Sequence, residues 1–184
     1  MASHYPDSRK TGQQLRTETI DAMDAAIAAS GLADGWRFGY GPDAEEWNAA
    51  TEEFIGAGCT TQPGNRGQRF QVDLYHEPGD DPVAFATKMA EFWESQGFTV
   101  SVVAGVDLGP RHLTHFRADR ADGSLHAAVM AHTTSFNLSV YSECSTDPSL
   151  DKFAGPDGYR KFNDSDPDPY HPTNSPRVTP YPRD

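Results

Sequence analysis

The stretch HLTHFRADRADGSLHAAVMAHTTSFNLSVYSEC, residues 112–144, decides the fold. It reads as three successive strands, His112 to Ala118, Leu125 to His132 and Ser135 to Glu143, each alternating between apolar and polar positions. In the last of them Phe136, Leu138 and Val140 point inward while Asn137, Ser139 and Tyr141 point outward. Asp122-Gly123 separates the first two strands and is a dipeptide suited to a tight hairpin turn with positive φ. Centring the turn there sets Phe116 opposite Val129 and His115 opposite Met130. A turn at Thr133-Thr134 then sets His126 opposite Tyr141 and Met130 opposite Asn137. The economical result is an antiparallel meander, and Cys144 ends its last strand on the inward parity.

Upstream, the same reasoning gives Arg69 to His76 as a half-buried strand with Phe70, Val72 and Leu74 on one face. Asp81 caps a helix with Pro82 at its first position, and Phe85, Met89, Phe92 and Trp93 form its apolar stripe, ended by Gly97. Phe98 to Val106 is a valine-rich strand. An Ala-rich helix carries Leu15, Ile20, Met23 and Ile27 and stops at Gly31. Trp36, Phe38 and Tyr40 alternate as a strand. Ala44 to Ile55 reads as a helix, with Asp43 and Glu46 as a capping box and Trp47, Phe54 and Ile55 on one face, terminated by Gly56-Ala57-Gly58. The fold class expected is α+β: a two-layer sandwich, an antiparallel meander sheet with two or three helices on one face.

Residues 1–12 are polar and read as a flexible N-terminal segment, 13–145 as a single α+β domain, and 146–184 as a flexible tail rich in Pro and Asp. Such a tail buries too little apolar surface to offset its ordering entropy. Within it Asp164, Asp166 and Asp168 resemble the start of a calcium loop, but Pro169 occupies the glycine position and Ser175 the closing glutamate position, which rejects an EF-hand.

The chain has 184 residues and a formal net charge of −12. This balance argues against nucleic acid as a partner, because phosphate affinity comes from Lys and Arg. The four lysines are scattered, so no polybasic patch faces anionic lipid. No apolar run approaches the roughly 20 residues that cross a bilayer. Cys59 and Cys144 are the only cysteines. The parity of Cys144 points to a structural disulfide between them, and hence to an extracytoplasmic protein whose signal segment has been removed. Closing a loop of this length stabilises by roughly 4 kcal/mol in the loop-entropy picture.

No nucleophile elbow, metal-binding helix pair, C-x-x-C pair or phosphate-cradling glycine loop is present, so no catalytic residue and no cofactor is expected. The richest set of functional side chains lies on the outward face of the meander: His115, Arg117, His126, His132, Asn137 and Tyr141 form the candidate binding surface. His115 and His132 are diagonal neighbours, whereas His126 lies too far along the strand to share an ion with them, so a metal is not expected either.

The segment Phe92-Trp93-Glu94-Ser95-Gln96-Gly97-Phe98, the strand Phe136 to Cys144 and the acidic, Lys-poor composition resemble the ectodomains of small actinobacterial cell-envelope lipoproteins, over residues 13–145. The resemblance implies export and a cell-surface position, with membrane attachment only through a lipidated cysteine that this chain lacks. It points to a non-enzymatic binding or structural module whose partner is a protein or small ligand at the cell envelope. An enzyme with a His/carboxylate site outside known motifs, or an immunity-type protein-binding partner, are the alternatives.

Overall fold

Helix α1 (Gly12–Ser30) begins where Thr11 and Gln14 cap each other reciprocally: the Gln14 side chain accepts from the Thr11 N–H at 3.0 Å, and Thr11 Oγ1 accepts from the Gln14 N–H at 3.3 Å. It ends at Gly31, at φ 79°. The computed structural model of the chain describes residues 6–38, 44–49, 55–61, 65–102 and 114–153. After α1 come β1 (Arg37–Phe38), β2 (Glu45–Glu46), β3 (Ile55–Thr60), β4 (Arg66–His76), α2 (Pro82–Ser95), β5 (Phe98–Val102), β6 (His115–Arg120), β7 (Leu125–Ala131), β8 (Phe136–Ser142) and a 3-10 turn at Pro148–Phe153.

Among the described residues these make an α+β arrangement of two α-helices and an antiparallel eight-stranded sheet in the order β2-β1-β4-β8-β7-β6-β5, with β3 beside β4. The run β5-β6-β7-β8 is the expected meander, and β4 adds to its far side. Register follows the two turn centres: Phe116 pairs with Val129, His115 with Met130, His126 with Tyr141 and Met130 with Asn137. The first turn is longer than the expected two residues. The Gly123 N–H donates to the Arg120 carbonyl at 2.9 Å, and Asp122 Oδ1 accepts from the Ser124 N–H and hydroxyl at 2.9 and 2.6 Å. Loop Ala121 to Ser124 is thus a turn closed by Gly123 at φ 74°. Its centre is unchanged, so the register is too.

Cross-strand pairing puts Val72, Leu74, Phe116, Ala118, Ala127, Val129, Leu138 and Val140 on one face, and all are buried. Helix α1 packs on β8 and β4 with Leu15 and Met23 buried, and α2 packs on β5, β6 and β7. The Asp81 carboxylate accepts from the Val83 and Ala84 N–H groups at 3.0 Å each and starts α2 as expected. The Phe85 ring stacks on Phe136 at 4.2 Å, and Trp93 lies 4.8 Å from Phe98.

The expected helix from Ala44 to Ile55 is absent at both ends. Glu45–Glu46 pair with β1, and Ile55–Thr60 pair with β4. The helical spacing of Trp47, Phe54 and Ile55 is outweighed by β4, which runs 11 residues and leaves its Arg66–Gln71 edge free for a strand. Gly56 and Gly58, read as a terminator, sit inside that strand. Tyr40, Asp43, Phe54, the 103–113 segment that contains His112, and the tail from 154, with Asp164, Asp166 and Asp168, lie outside the described residues.

The Cys59–Cys144 disulfide is formed, with a Cα separation of 6.0 Å. It joins chains on opposite edges of β4: Cys59 pairs with Gly67, while Ser145 and Gln68 exchange backbone hydrogen bonds of 2.8 and 2.9 Å on the other side. Strands two apart ordinarily sit about 9.5 Å from each other. Here the two Cα atoms are 6.0 Å apart, and the β8 side is bulged beside them. Between the pairs Gln71↔Tyr141 and Gln68↔Ser145 the β8 side carries one extra residue, and the Phe70 N–H donates to the Ser142 hydroxyl at 2.9 Å. Gly67 lies directly beneath the crossing: a Cβ there would stand 2.8 Å from Cys144 Sγ and 2.8 Å from the Ser145 carbonyl oxygen.

Packing continues past the boundaries expected at 13 and 145. The Ser8 N–H donates to the Cys144 carbonyl at 3.0 Å, the Ser145 hydroxyl to the Lys10 carbonyl at 2.7 Å, and the Thr146 hydroxyl to Asp7 at 2.6 Å. Lys10 pairs with both Glu18 and Glu143. Leu150, in the 3-10 turn that packs on α1, is buried.

Candidate functional site

Opposite the buried face, strand register arranges the polar side chains in three rows that run across the strands. One row is Thr99, Asp119, His126, Tyr141 and Gln71; the next is Ser101, Arg117, Ala128, Ser139 and Asp73; the third is His115, Met130, Asn137 and Tyr75. The short side chains of Ala128 and Ser139 therefore lie between His126 and Tyr141 on one side and Met130 and Asn137 on the other. All six expected surface residues except His132 belong to these rows. His132 follows β7 and is exposed beside His115.

At one end Asp119 holds two of the expected residues together. Its Oδ1 accepts from Arg117 Nε at 2.7 Å and from His126 Nδ1 at 2.5 Å, and Arg117 Nη2 comes within 3.3 Å of the same imidazole nitrogen. A carboxylate only accepts, so Nδ1 is the donor toward Asp119. The Arg117 side chain is 48% exposed and that of His126 only 12%, so the guanidinium is the more accessible of the two.

In the neighbouring part of the face, Tyr141 donates to Asp73 Oδ1 at 3.5 Å, Gln71 Nε2 donates to Asp73 Oδ2 at 2.6 Å, and the Arg69 guanidinium lies 5.2 Å from the Tyr141 ring centre. Burial, and then the Asp73 carboxylate, push the Tyr141 phenol above its ordinary value. At the other end burial, with His132 second, pushes the His115 imidazole below its ordinary value. Asn137, expected to be accessible, is buried at 8% exposure, and Ser135 donates to its Oδ1 at 3.2 Å. Asn137 is the second residue of β8 and is flanked by the longer side chains of Met130 on β7 and Tyr75 on β4, a setting that strand parity alone does not report.

Asp119, Asp73, Gln71 and Arg69 were missed by sequence reasoning. The same turn centre that pairs His115 with Met130 also pairs Asp119 with His126, so that partner was readable. The β4 residues were not, because their place depends on which strand adds to the far side of β8. Among the described residues no group of three His, Cys, Asp or Glu side chains is placed to hold a metal ion, and no helix is long and apolar enough to cross a membrane. No protein-family model, curated protein or solved structure matches the chain.

Proposed function

We propose that this chain is the extracytoplasmic domain of a cell-envelope protein, a non-enzymatic binding module that engages a protein or small ligand through the face carrying Arg117, His126 and Tyr141. In this reading the domain is a two-layer sandwich, with its helices against one side of the sheet and this face open on the other. The observation that carries it is the row pattern: Arg, His, Tyr, Asp and Gln side chains gathered around the short Ala128 and Ser139, with Arg117 exposed at one end. A disulfide supports an oxidising compartment, since cytosolic thiols are kept reduced. The resemblance of the Phe92–Phe98 and Phe136–Cys144 segments to envelope lipoproteins supports the cell surface, with attachment through a lipid. The −12 charge speaks against nucleic acid.

The test is amide chemical-shift mapping of the oxidised protein against cell-wall glycan fragments, short peptides and polar small molecules. Shifts confined to β6, β7, β8 and β4, and abolished by Arg117→Ala, support the reading. Shifts confined to the helices, or none with any probe, count against it. The short Asp119–His126 contact favours one alternative, an enzyme with a His/carboxylate site. In that case a probe that binds is also converted, and His126→Gln removes turnover while leaving the binding shifts in place.

A further inference from the structure

The two ends of the sheet are built differently. At one end β2 is two residues long, and both Glu45 and Glu46 are exposed; β3, lying along β4, contains Gly56 and Gly58. Short length, charge and glycine all discourage another strand from adding. At the other end β5 is five residues, Phe98-Thr99-Val100-Ser101-Val102, with no charge and no proline, and among the described residues it pairs only with β6. Thr99, Ser101 and Val102 are exposed, and Val102, at 52%, is the more exposed of two large apolar side chains on the described surface.

We infer that β5 is a self-association edge: two copies of this chain pair antiparallel through it about a two-fold axis at Val100, and their sheets become continuous. This register sets Val100 opposite its symmetry mate, Thr99 opposite Ser101 of the second copy, and Phe98 opposite Val102 of the second copy. Charge favours it weakly. Asp119 is the cross-strand partner of Thr99, and Arg117 that of Ser101. Across the seam each row then reads Asp119, Thr99, Ser101, Arg117, with opposite charges on either side of two short hydroxyl residues. Sliding the pairing so that Thr99 faces Thr99 brings Asp119 toward Asp119, and sliding it so that Ser101 faces Ser101 brings Arg117 toward Arg117. Both alternatives set like charges three strand spacings, roughly 14 Å, apart, a small and salt-screened disadvantage.

The same register gives the exposed Val102 an apolar neighbour, Phe98 of the second copy, whose ring already rests against Trp93. In a chain of net charge −12, β5 itself carries no acidic side chain to oppose its symmetry mate. Such an edge is recognised by main-chain hydrogen bonds, as in other strand additions. Five paired residues per copy bury less than the roughly 1,200 Å² of a standard interface, so association is weak and concentration-dependent.

Sedimentation equilibrium from about 10 μM to about 1 mM oxidised protein tests this, since a weak interface populates in that range. The wild type is expected to rise from monomer mass toward dimer mass. Val100→Pro, which removes an N–H on the free edge and leaves the β5–β6 ladder intact, and Val102→Lys, which adds a charge, are each expected to remain monomeric with an unchanged circular dichroism spectrum. Arg117→Glu weakens the dimer, and the swap Arg117→Glu with Asp119→Arg restores it. A wild type that stays monomeric throughout, or a dimer that survives both edge variants, overturns the proposal.

Discussion

Replacing Gly67 by alanine probes the crossing of the disulfide over β4. The added Cβ meets Cys144 Sγ and the Ser145 carbonyl oxygen, both at 2.8 Å, and the Ser145 carbonyl carbon at 3.1 Å. None of these atoms is the free end of a flexible side chain, because the sulfur is bonded to Cys59 and Ser145 is held by Gln68 through hydrogen bonds of 2.8 and 2.9 Å. Relief therefore requires the Cys144–Ser145 segment to lift, which weakens two backbone hydrogen bonds at about 1 kcal/mol each. Overpacking adds about 1 kcal/mol or more. A loss of about 3 kcal/mol follows, equivalent to a fall of roughly 6–12 °C in Tm for a domain of this size. Urea unfolding followed by circular dichroism measures it, with thiol titration confirming that the bond is intact. The same substitution in a Cys59→Ala/Cys144→Ala background meets only the Ser145 carbonyl, and its cost should fall by about half, because one of two equally close contacts has gone. A cost below about 0.5 kcal/mol with the disulfide present, within the range of an ordinary surface change, or an equal cost in both backgrounds, refutes the account of Gly67.

Phe85→Ala removes a ring stacked at 4.2 Å on Phe136 and should cost about 3 kcal/mol in chemical denaturation, the usual range for a buried phenylalanine. Asp81→Ala deprives the Val83 and Ala84 N–H groups of their acceptor and should cost about 1 kcal/mol, with Asp81→Asn largely retained. Hydrogen bonds from Ser124 hold the Asp122 carboxyl below its ordinary 3.8, so its contribution is present above that pH and lost as pH falls through the lower folded value. Asp122→Asn should flatten that acid limb of the stability profile. For His115 burial, then His132, lowers the folded value below 6.5, so the unfolded chain takes up the proton first and stability is lost as pH falls below 6.5. His115→Gln should remove that slope, read as urea midpoint against pH.

Local chemistry made much of this fold readable. The stripe of Phe85, Met89 and Trp93 is a repeat within one helix. Asp81-Pro82 starts that helix with atoms from adjacent residues. The meander registers follow from turn centres, since in a hairpin the partner of each residue is set by its distance from the turn. The segment from Trp47 to Cys59 failed for the complementary reason. Its apolar spacing suits a helix, and Ile55–Thr60 forms a strand because β4 offers an edge there.

The candidate site divides in the same way. His115, Arg117, His126 and Tyr141 share a face by parity alone, and sequence placed them together. Asn137 is buried, and Asp73 reaches Tyr141 only because β4 pairs with β8. The identity of the two cysteine partners was forced by there being two. How they meet was not: the bond crosses an intervening strand over the bare Cα of Gly67, beside the bulge before Ser145. By itself the sequence determined the helices, the hairpin registers and the parity of the outward face, because each depends on neighbours a few residues apart. Only the tertiary structure decided the order of β4 and β3, the burial of Asn137 and the path of the disulfide, because those depend on which free strand edge another segment finds, and no local period encodes that.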